Sequence, residues 1–184
     1  MEGSGARTGA VELAPPVGER DRVRGAPDAP LTLVEYGDYD CPYTVRAHAV
    51  VRGLRRRLGD RLRFVFRAFP LTRIHAQAAA EAAEAAAAQG QFWEMHNRLF
   101  DAHRRLEDAD LRAYAEEVGL DVGRFRREME EHAHAGRVRA DLRSGLRSGV
   151  RGTPTFFING IRHDAPNDFE TLLAALEAAG EVEG

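Results

Sequence analysis

The chain reads as an α/β protein in which an all-helical block sits between two α/β segments, and three observations predict this. A strand, a helix and a second strand follow one another over residues 31–69, a long stretch of helical spacing occupies 72–148, and two short strands around Asn159-Gly160 lead into a final helix. The order is therefore βα, β, a helical block, then ββα.

Each element has a local reason. Residues 1–16 are rich in Gly, Ala and Pro and are expected to form a disordered tail. "LTLVEYG" (31–37) is a short apolar run closed by glycine, the pattern of a buried strand. A helix is expected to start at Cys41. Pro42 suits the first helical position, where its missing N–H is no loss, and Val45, Ala49, Val50 and Leu54 recur at helical spacing until Gly59. In "LRFVFRAF" (62–69), Leu62, Phe64 and Phe66 alternate with Arg63, Val65 and Arg67, and Pro70 closes the strand. Strand, helix and strand in succession predict a parallel pair joined by a crossover. Within the helical block Gly90, Gly119, Asp110 and Asp121 supply stops and N-caps, and the alanine-rich stretch from Ala76 reads as low-complexity helix rather than a repeat. Asn159-Gly160 is a two-residue hairpin signal, and Asp168 is placed to cap the last helix.

Composition bounds the rest. With 184 residues, 43% hydrophobic and 30% charged, the chain can bury one sizeable core and fits one domain better than two. A formal net charge of -3 gives no electrostatic reason to expect nucleic acid or an anionic membrane, although all 26 basic residues are arginine, which fits a GC-rich coding bias. The first 30 residues hold no apolar run suited to a signal-peptide core, and no later run reaches transmembrane length, so a cytoplasmic protein without membrane insertion is expected. Oligomeric state is open.

Chemistry concentrates at one residue. Cys41 is the only cysteine, so no disulfide can form within these 184 residues, and whatever the sulfur does requires a partner molecule. A lone cysteine is commonly a small buried hydrophobe. Here it follows a buried strand and opens a helix, where unpaired N–H groups and the positive end of the helix dipole favour thiolate over thiol.

"EYGDYDCPYT" followed by a helix, "FRAFPLT" on the next strand, "QAAAEAAEAAAAQGQFWEMHNRLF" and "GVRGTPTFFINGIRHD" together resemble the DsbA-like thiol:disulfide oxidoreductases of the thioredoxin superfamily, over roughly Val17 to Gly180. The resemblance implies a thioredoxin-like fold with an all-helical insertion: a tail over 1–16, the first thioredoxin-like part over 17–70, the insertion over 71–149 and the second part over 150–184. It implies that Cys41 is the attacking cysteine, that Pro42 and Tyr43 tune it, and that Thr153-Pro154 is the cis-proline segment beside it. Residues Gly152, Thr153 and Pro154 would then form part of the edge on which an extended substrate peptide docks. Glu35, six residues before Cys41, matches an acidic residue that serves proton transfer in thioredoxin relatives, with a raised pKa. The alternative for Glu35 is a carboxylate at a strand edge, reaching water or an arginine. Asp38 and Asp40 would oppose a thiolate and read as loop-capping groups.

Thr44 departs from the family pattern, which has a second cysteine there. Threonine can neither close a disulfide nor resolve one, though its hydroxyl, one turn on, can hydrogen-bond a Cys41 thiolate. Three outcomes stay open: monothiol exchange with an external thiol such as glutathione as co-substrate, a peptide-binding or chaperone-like module without turnover, or a sensor whose sulfur is oxidised or capped. The expected partners are protein or glutathione thiols and disulfides.

Other candidates are weaker. His132 and His134 lack metal-ligand spacing and are expected to face solvent, and no metal or bound cofactor is expected. His48, two turns beyond Cys41, reads as packed or exposed rather than as the thiol's base. Arg55 to Arg57 read as the solvated side of the first helix. Phe92, Trp93, Met95, Leu99 and Phe100 have core spacing within the insertion, a surface that in this fold can also line a substrate groove.

Overall fold

The two seven-residue apolar runs pair side by side at the middle of one sheet. The computed structural model describes residues 9–71, 74–102 and 104–182. Five strands, β1 (Arg22–Arg24), β2 (Leu31–Gly37), β3 (Leu62–Ala68), β4 (Thr155–Ile158) and β5 (Ile161–His163), form a sheet in the order β1-β3-β2-β4-β5. β2 and β3 are parallel, with Leu31 opposite Leu62 and Gly37 opposite Ala68, and helix α1 (Pro42–Leu58) connects them. The other pairings are antiparallel. Asn159 and Gly160, with φ of 45° and 81°, turn β4 into β5 as the dipeptide anticipates. This is the thioredoxin-like arrangement with a helical insertion between β3 and β4, and α7 (Phe169–Val182) closes the chain. The Asp168 carboxylate accepts from the Thr171 N–H at the start of α7.

The insertion comprises α2 (Ile74–Ala87), α3 (Phe92–Asp101), α4 (Asp108–Glu117), α5 (Val122–Glu130) and α6 (Ala135–Arg147). Alanine explains its layout. On α2, Ala76, Ala79, Ala80, Ala82, Ala83, Ala85 and Ala86 are all buried, because small side chains let neighbouring helices approach from several sides. Gly90 and Gly119, with φ of 77° and 79°, end turns as expected, and Asp121 caps α5 by accepting from the Arg124 N–H. Asp110 is a correction. It lies inside the first turn of α4, where its carboxylate accepts from the Glu107 N–H.

Both faces of the sheet are covered, so alternation along a strand does not separate core from solvent. Leu33, Phe64, Phe66 and Phe156 face a core shared with α1, α7 and the insertion, whereas Val34, Tyr36, Val65 and Phe157 face a second cluster with Leu13, Phe69 and Val150. Arg67, on the second face, is 2% exposed. Its guanidinium donates to the Asp21 carboxylate at 2.7 and 2.9 Å, to the Tyr36 hydroxyl at 2.8 Å and to the Pro15 carbonyl at 3.0 Å.

That clamp corrects the disordered tail expected over 1–16. Residues 1–8 lie outside the described residues, but 9–16 are held by backbone bonds: the Leu13 N–H donates to Gly160 and the Arg162 N–H to Val11, each at 2.8 Å. Leu13 is buried beneath them. A Gly- and Pro-rich composition lacks local structure, and distant partners order it here.

α6 meets this face through Gly145. A methyl group there would stand 2.5 Å from Phe69 Cδ2 and 3.1 Å from Tyr36 Cδ1, both rings being buried. Glycine to alanine inside a helix ordinarily stabilises by about 1 kcal/mol. Gly145→Ala is expected to reverse that sign and destabilise by about 1–3 kcal/mol through overpacking, read as a lower midpoint in urea unfolding. An unchanged or higher midpoint would show that Phe69 moves aside without cost.

Candidate active site

Cys41 is the N-cap of α1, with extended backbone at φ -86° and ψ 120°, and Pro42 begins the helix proper. The loop that presents it is organised by one carboxylate. Asp38 accepts from the Asp40 N–H at 2.8 Å through Oδ1 and from the Leu71 N–H at 3.2 Å through Oδ2, tying the β2–α1 loop to the segment after β3. The Asp38 carbonyl accepts from the Cys41 N–H at 3.1 Å. Asp38 thus acts as the loop-capping group the sequence suggests.

The sulfur is half-buried and lies against the Thr153–Pro154 segment, whose peptide bond is cis. As a thiol it donates to the Thr153 carbonyl at 3.4 Å. Burial pushes the Cys41 pKa up, but the Thr153 side chain, the Thr44 N–H and hydroxyl and the Tyr43 N–H together outweigh it and hold the pKa below the ordinary thiol value. Thr153 Oγ1 is buried and has no hydrogen-bond partner among the described residues. Thr44 is fully buried one turn along, and its hydroxyl oxygen accepts from the Asp38 N–H at 3.4 Å. Gly37 makes room for it, because a Cβ there would stand 2.9 Å from Thr44 Cγ2 and 2.5 Å from Phe66 Cε2. Tyr43 is 64% exposed beside the sulfur. Gly152 supplies the carbonyl that accepts the Thr155 hydroxyl at 2.7 Å, fixing the bend into β4.

Glu35 lies on the central strand, with Phe66 of β3 and Phe156 of β4 as its lateral neighbours. It shares the face of β2 that carries Gly37, over which Thr44 packs. The side chain is 2% exposed and Oε1 has no hydrogen-bond partner among the described residues. Burial alone raises its pKa to about 8. The strand-edge alternative therefore fails: β2 has a strand on each side, and Oε1 reaches neither solvent nor an arginine.

His48 is buried and stacks on Phe100 with ring centroids 4.6 Å apart, and burial lowers its pKa to about 4. It is packed, as read, and too weak a base to deprotonate a thiol at neutral pH. The sequence reading missed the group beside it. The Tyr39 hydroxyl and His96 Nδ1 are 2.9 Å apart, and His96, Phe66 and Phe100 surround Tyr39, so α3 buttresses the loop two residues before the sulfur. The only available signal was the aromatic clustering of "FWEMHNRLF". His132 faces solvent as expected, while its Nδ1 also lies 3.0 Å from the buried Glu81 carboxylate. His134 is a correction: it is only partly exposed and sits 2.7 Å from Glu128.

A cysteine at a helix N-cap, facing a Thr-Pro turn at the end of a mixed sheet, fits a thioredoxin-fold protein. A family model described as Thioredoxin matches residues 18–178, and the chain belongs to that family. The fold is shared with several solved structures. BdbD from Bacillus subtilis, in its oxidised form, superposes with a TM-score of 0.85 at 22% identity, covering 94% of this chain and 98% of that one. Alpha-DsbA1 from Wolbachia pipientis gives 0.75 at 18% identity, covering 91% and 96%. A thioredoxin-like oxidoreductase from Silicibacter pomeroyi gives 0.80 at 29% identity, covering 89% and 94%. In sequence the chain is also 48% identical over 180 residues to a Na(+)/H(+) antiporter, NhaA 3, of Salinispora tropica, covering 95% of this chain. The chain spans about 27% of the length of the curated antiporter relatives it matches. Among its described residues no helix is long and apolar enough to cross a membrane.

Proposed function

We propose that this chain is a DsbA-like thiol:disulfide oxidoreductase working by monothiol exchange through Cys41 in the reducing cytoplasm. The carrying observation is the sulfur's position: Cys41 caps α1 with Sγ 3.4 Å from the Thr153 carbonyl of the Thr153–Pro154 turn, and nearby Thr153, Thr44 and Tyr43 groups pull its pKa below the ordinary thiol value. The thiolate attacks one sulfur of a protein disulfide or of a glutathionylated protein. A Cys41–partner disulfide forms, the partner's S–S bond breaks, and the other sulfur leaves as a thiolate that takes a proton. A thiolate of the glutathione class then attacks the adduct and Cys41 departs as thiolate, so the cycle exchanges disulfides without net oxidation of this chain. Glu35, protonated near neutral pH and lying under the same turn, is the proton reserve for departing sulfurs. No metal or resident cofactor takes part in this scheme.

Two measurements decide it. Thiolate absorbance against pH should place the Cys41 pKa below the value of about 8.5 for a free cysteine, and exchange should require glutathione and vanish in Cys41→Ser. A pKa at or above the free value, with peptide affinity unchanged in Cys41→Ser, would hand the site to a non-catalytic peptide-binding module.

The relatives favour a second reading. Proteins named as antiporters carry a segment 45–48% identical to nearly all of this chain. In a redox-sensing module, glutathione capping of Cys41 would be the signal itself, read by an associated transporter. The discriminating result is a cap that stays on in excess glutathione, where the exchange reading requires its rapid removal.

A further inference from the structure

A groove leaves the sulfur between α1 and the Thr153–Pro154 turn. It is lined by the apolar Ala47, Val50 and Pro154 together with Thr153, Asn167, Tyr43 and Arg46. Thr153, whose carbonyl meets Cys41 Sγ, is one of the lining residues, so the groove lies next to the reacting atom. Arg46 is the only formally charged residue in the lining. Its guanidinium lies over the exposed Tyr43 ring, 4.7 Å from the centroid, which holds it at the rim while leaving its N–H edge for another partner. Among the described residues it is in no ion pair.

Resting on the exchange reading, we infer that Arg46 makes the groove selective for disulfides bearing a carboxylate close to the reactive sulfur. An extended partner that places its sulfur on Cys41 runs its neighbouring residues along this groove, past the guanidinium. A planar carboxylate can take two of its N–H donors, a neutral side chain gains less, and a cation is repelled. Glutathione and an acidic protein segment share this chemistry.

The test uses the full chain and short cysteine peptides activated as mixed disulfides, identical except for Glu, Gln or Lys beside the cysteine, together with glutathione disulfide. The reading is the single-turnover rate of adduct formation at Cys41, corrected for the thiolate fraction measured in each variant, so that altered sulfur acidity is separated from altered recognition. The Glu peptide should react about fivefold faster than the Gln peptide, the worth of one solvent-facing charge pair, with Lys slowest. Arg46→Gln should level the series and Arg46→Glu should invert it. The same order in the unmodified chain and in Arg46→Glu overturns the inference while leaving exchange intact. If no probe forms an adduct, the exchange reading itself fails. Selectivity is then judged on Cys41→Ser by the affinities of S-methylated Glu and Lys peptides, equal values overturning it. S-methylglutathione in the same titration separates the two sources, since a site for glutathione binds it at least as well as the Glu peptide, and a site for acidic protein segments prefers the peptide.

Discussion

Thr44→Cys is expected to remove the need for an external thiol. In the unmodified chain a substrate attached to Cys41 stays attached until another molecule resolves it, because no second sulfur exists in these 184 residues to displace it as a thiol. Position 44 lies one turn into α1 on the face toward the loop, buried and close enough that its hydroxyl influences the sulfur at 41. Residues three apart on a helix bring their Cβ atoms to within about 5–6 Å, so a cysteine there reaches Cys41 with little backbone movement. The attack becomes intramolecular. Release of the first partner should accelerate by on the order of 10³-fold over millimolar glutathione, a small share of the effective molarity of well-oriented groups. The variant should accumulate an internal disulfide between Cys41 and the introduced thiol, seen as loss of both titratable thiols. The cost is the Asp38 N–H bond to the Thr44 hydroxyl, about 1 kcal/mol of stability in the reduced protein. A stable adduct in the variant without glutathione would mean that the two sulfurs cannot align and that Thr44 does not occupy a resolving position.

The parts of this site that were legible in sequence are those fixed by local rules. Cys41 and Pro42 at a strand-to-helix junction, Gly59 ending that helix and Asn159-Gly160 turning the hairpin all depend on neighbours within a few residues. What escaped depends on distant partners. β1 is only three residues long, too short to show a period, and exists because it pairs with β3 some forty positions later. The 9–16 segment is ordered by Gly160, Arg162 and Arg67, and nothing in its own composition announces them. Arg67 looked like the polar half of an alternating strand, but the sheet is covered on both faces, and the arginine finds its partner in Asp21. Whether Glu35 reached solvent turned on strand order, since β2 is central only because β3 and β4 flank it.

Glu35→Gln should stabilise the protein at neutral pH while slowing exchange. Burial holds the folded pKa near 8, against 4.5 for the free side chain. Between these values the folded chain keeps a proton that the unfolded chain has released, so stability falls as pH rises from 4.5 and levels off above 8. At pH 7 the penalty amounts to about 3 kcal/mol, which a neutral side chain does not incur. Urea unfolding should therefore give nearly equal stabilities for the two proteins at pH 4.5 and a gap of about 3 kcal/mol in favour of Glu35→Gln at pH 7. His48, held neutral by burial, imposes the opposite slope as pH falls from 6.5 toward 4, but it is common to both proteins and cancels in the difference. Parallel pH curves would mean that water reaches the carboxylate and that its pKa is ordinary. The amide carries a donor where the acid had one, so it is nearly isosteric; Glu35→Leu removes both polar atoms and should gain at least as much. What neither variant can do is surrender a proton to a departing sulfur. If Glu35 serves that step, formation of the Cys41 adduct, in which the departing partner sulfur takes a proton, should slow by about 10²-fold in both, with resolution, in which Cys41 leaves as a thiolate, less affected. A stabilised variant that still turned over at full rate would leave the buried carboxylate without a catalytic role, and its cost in stability without a function to explain it.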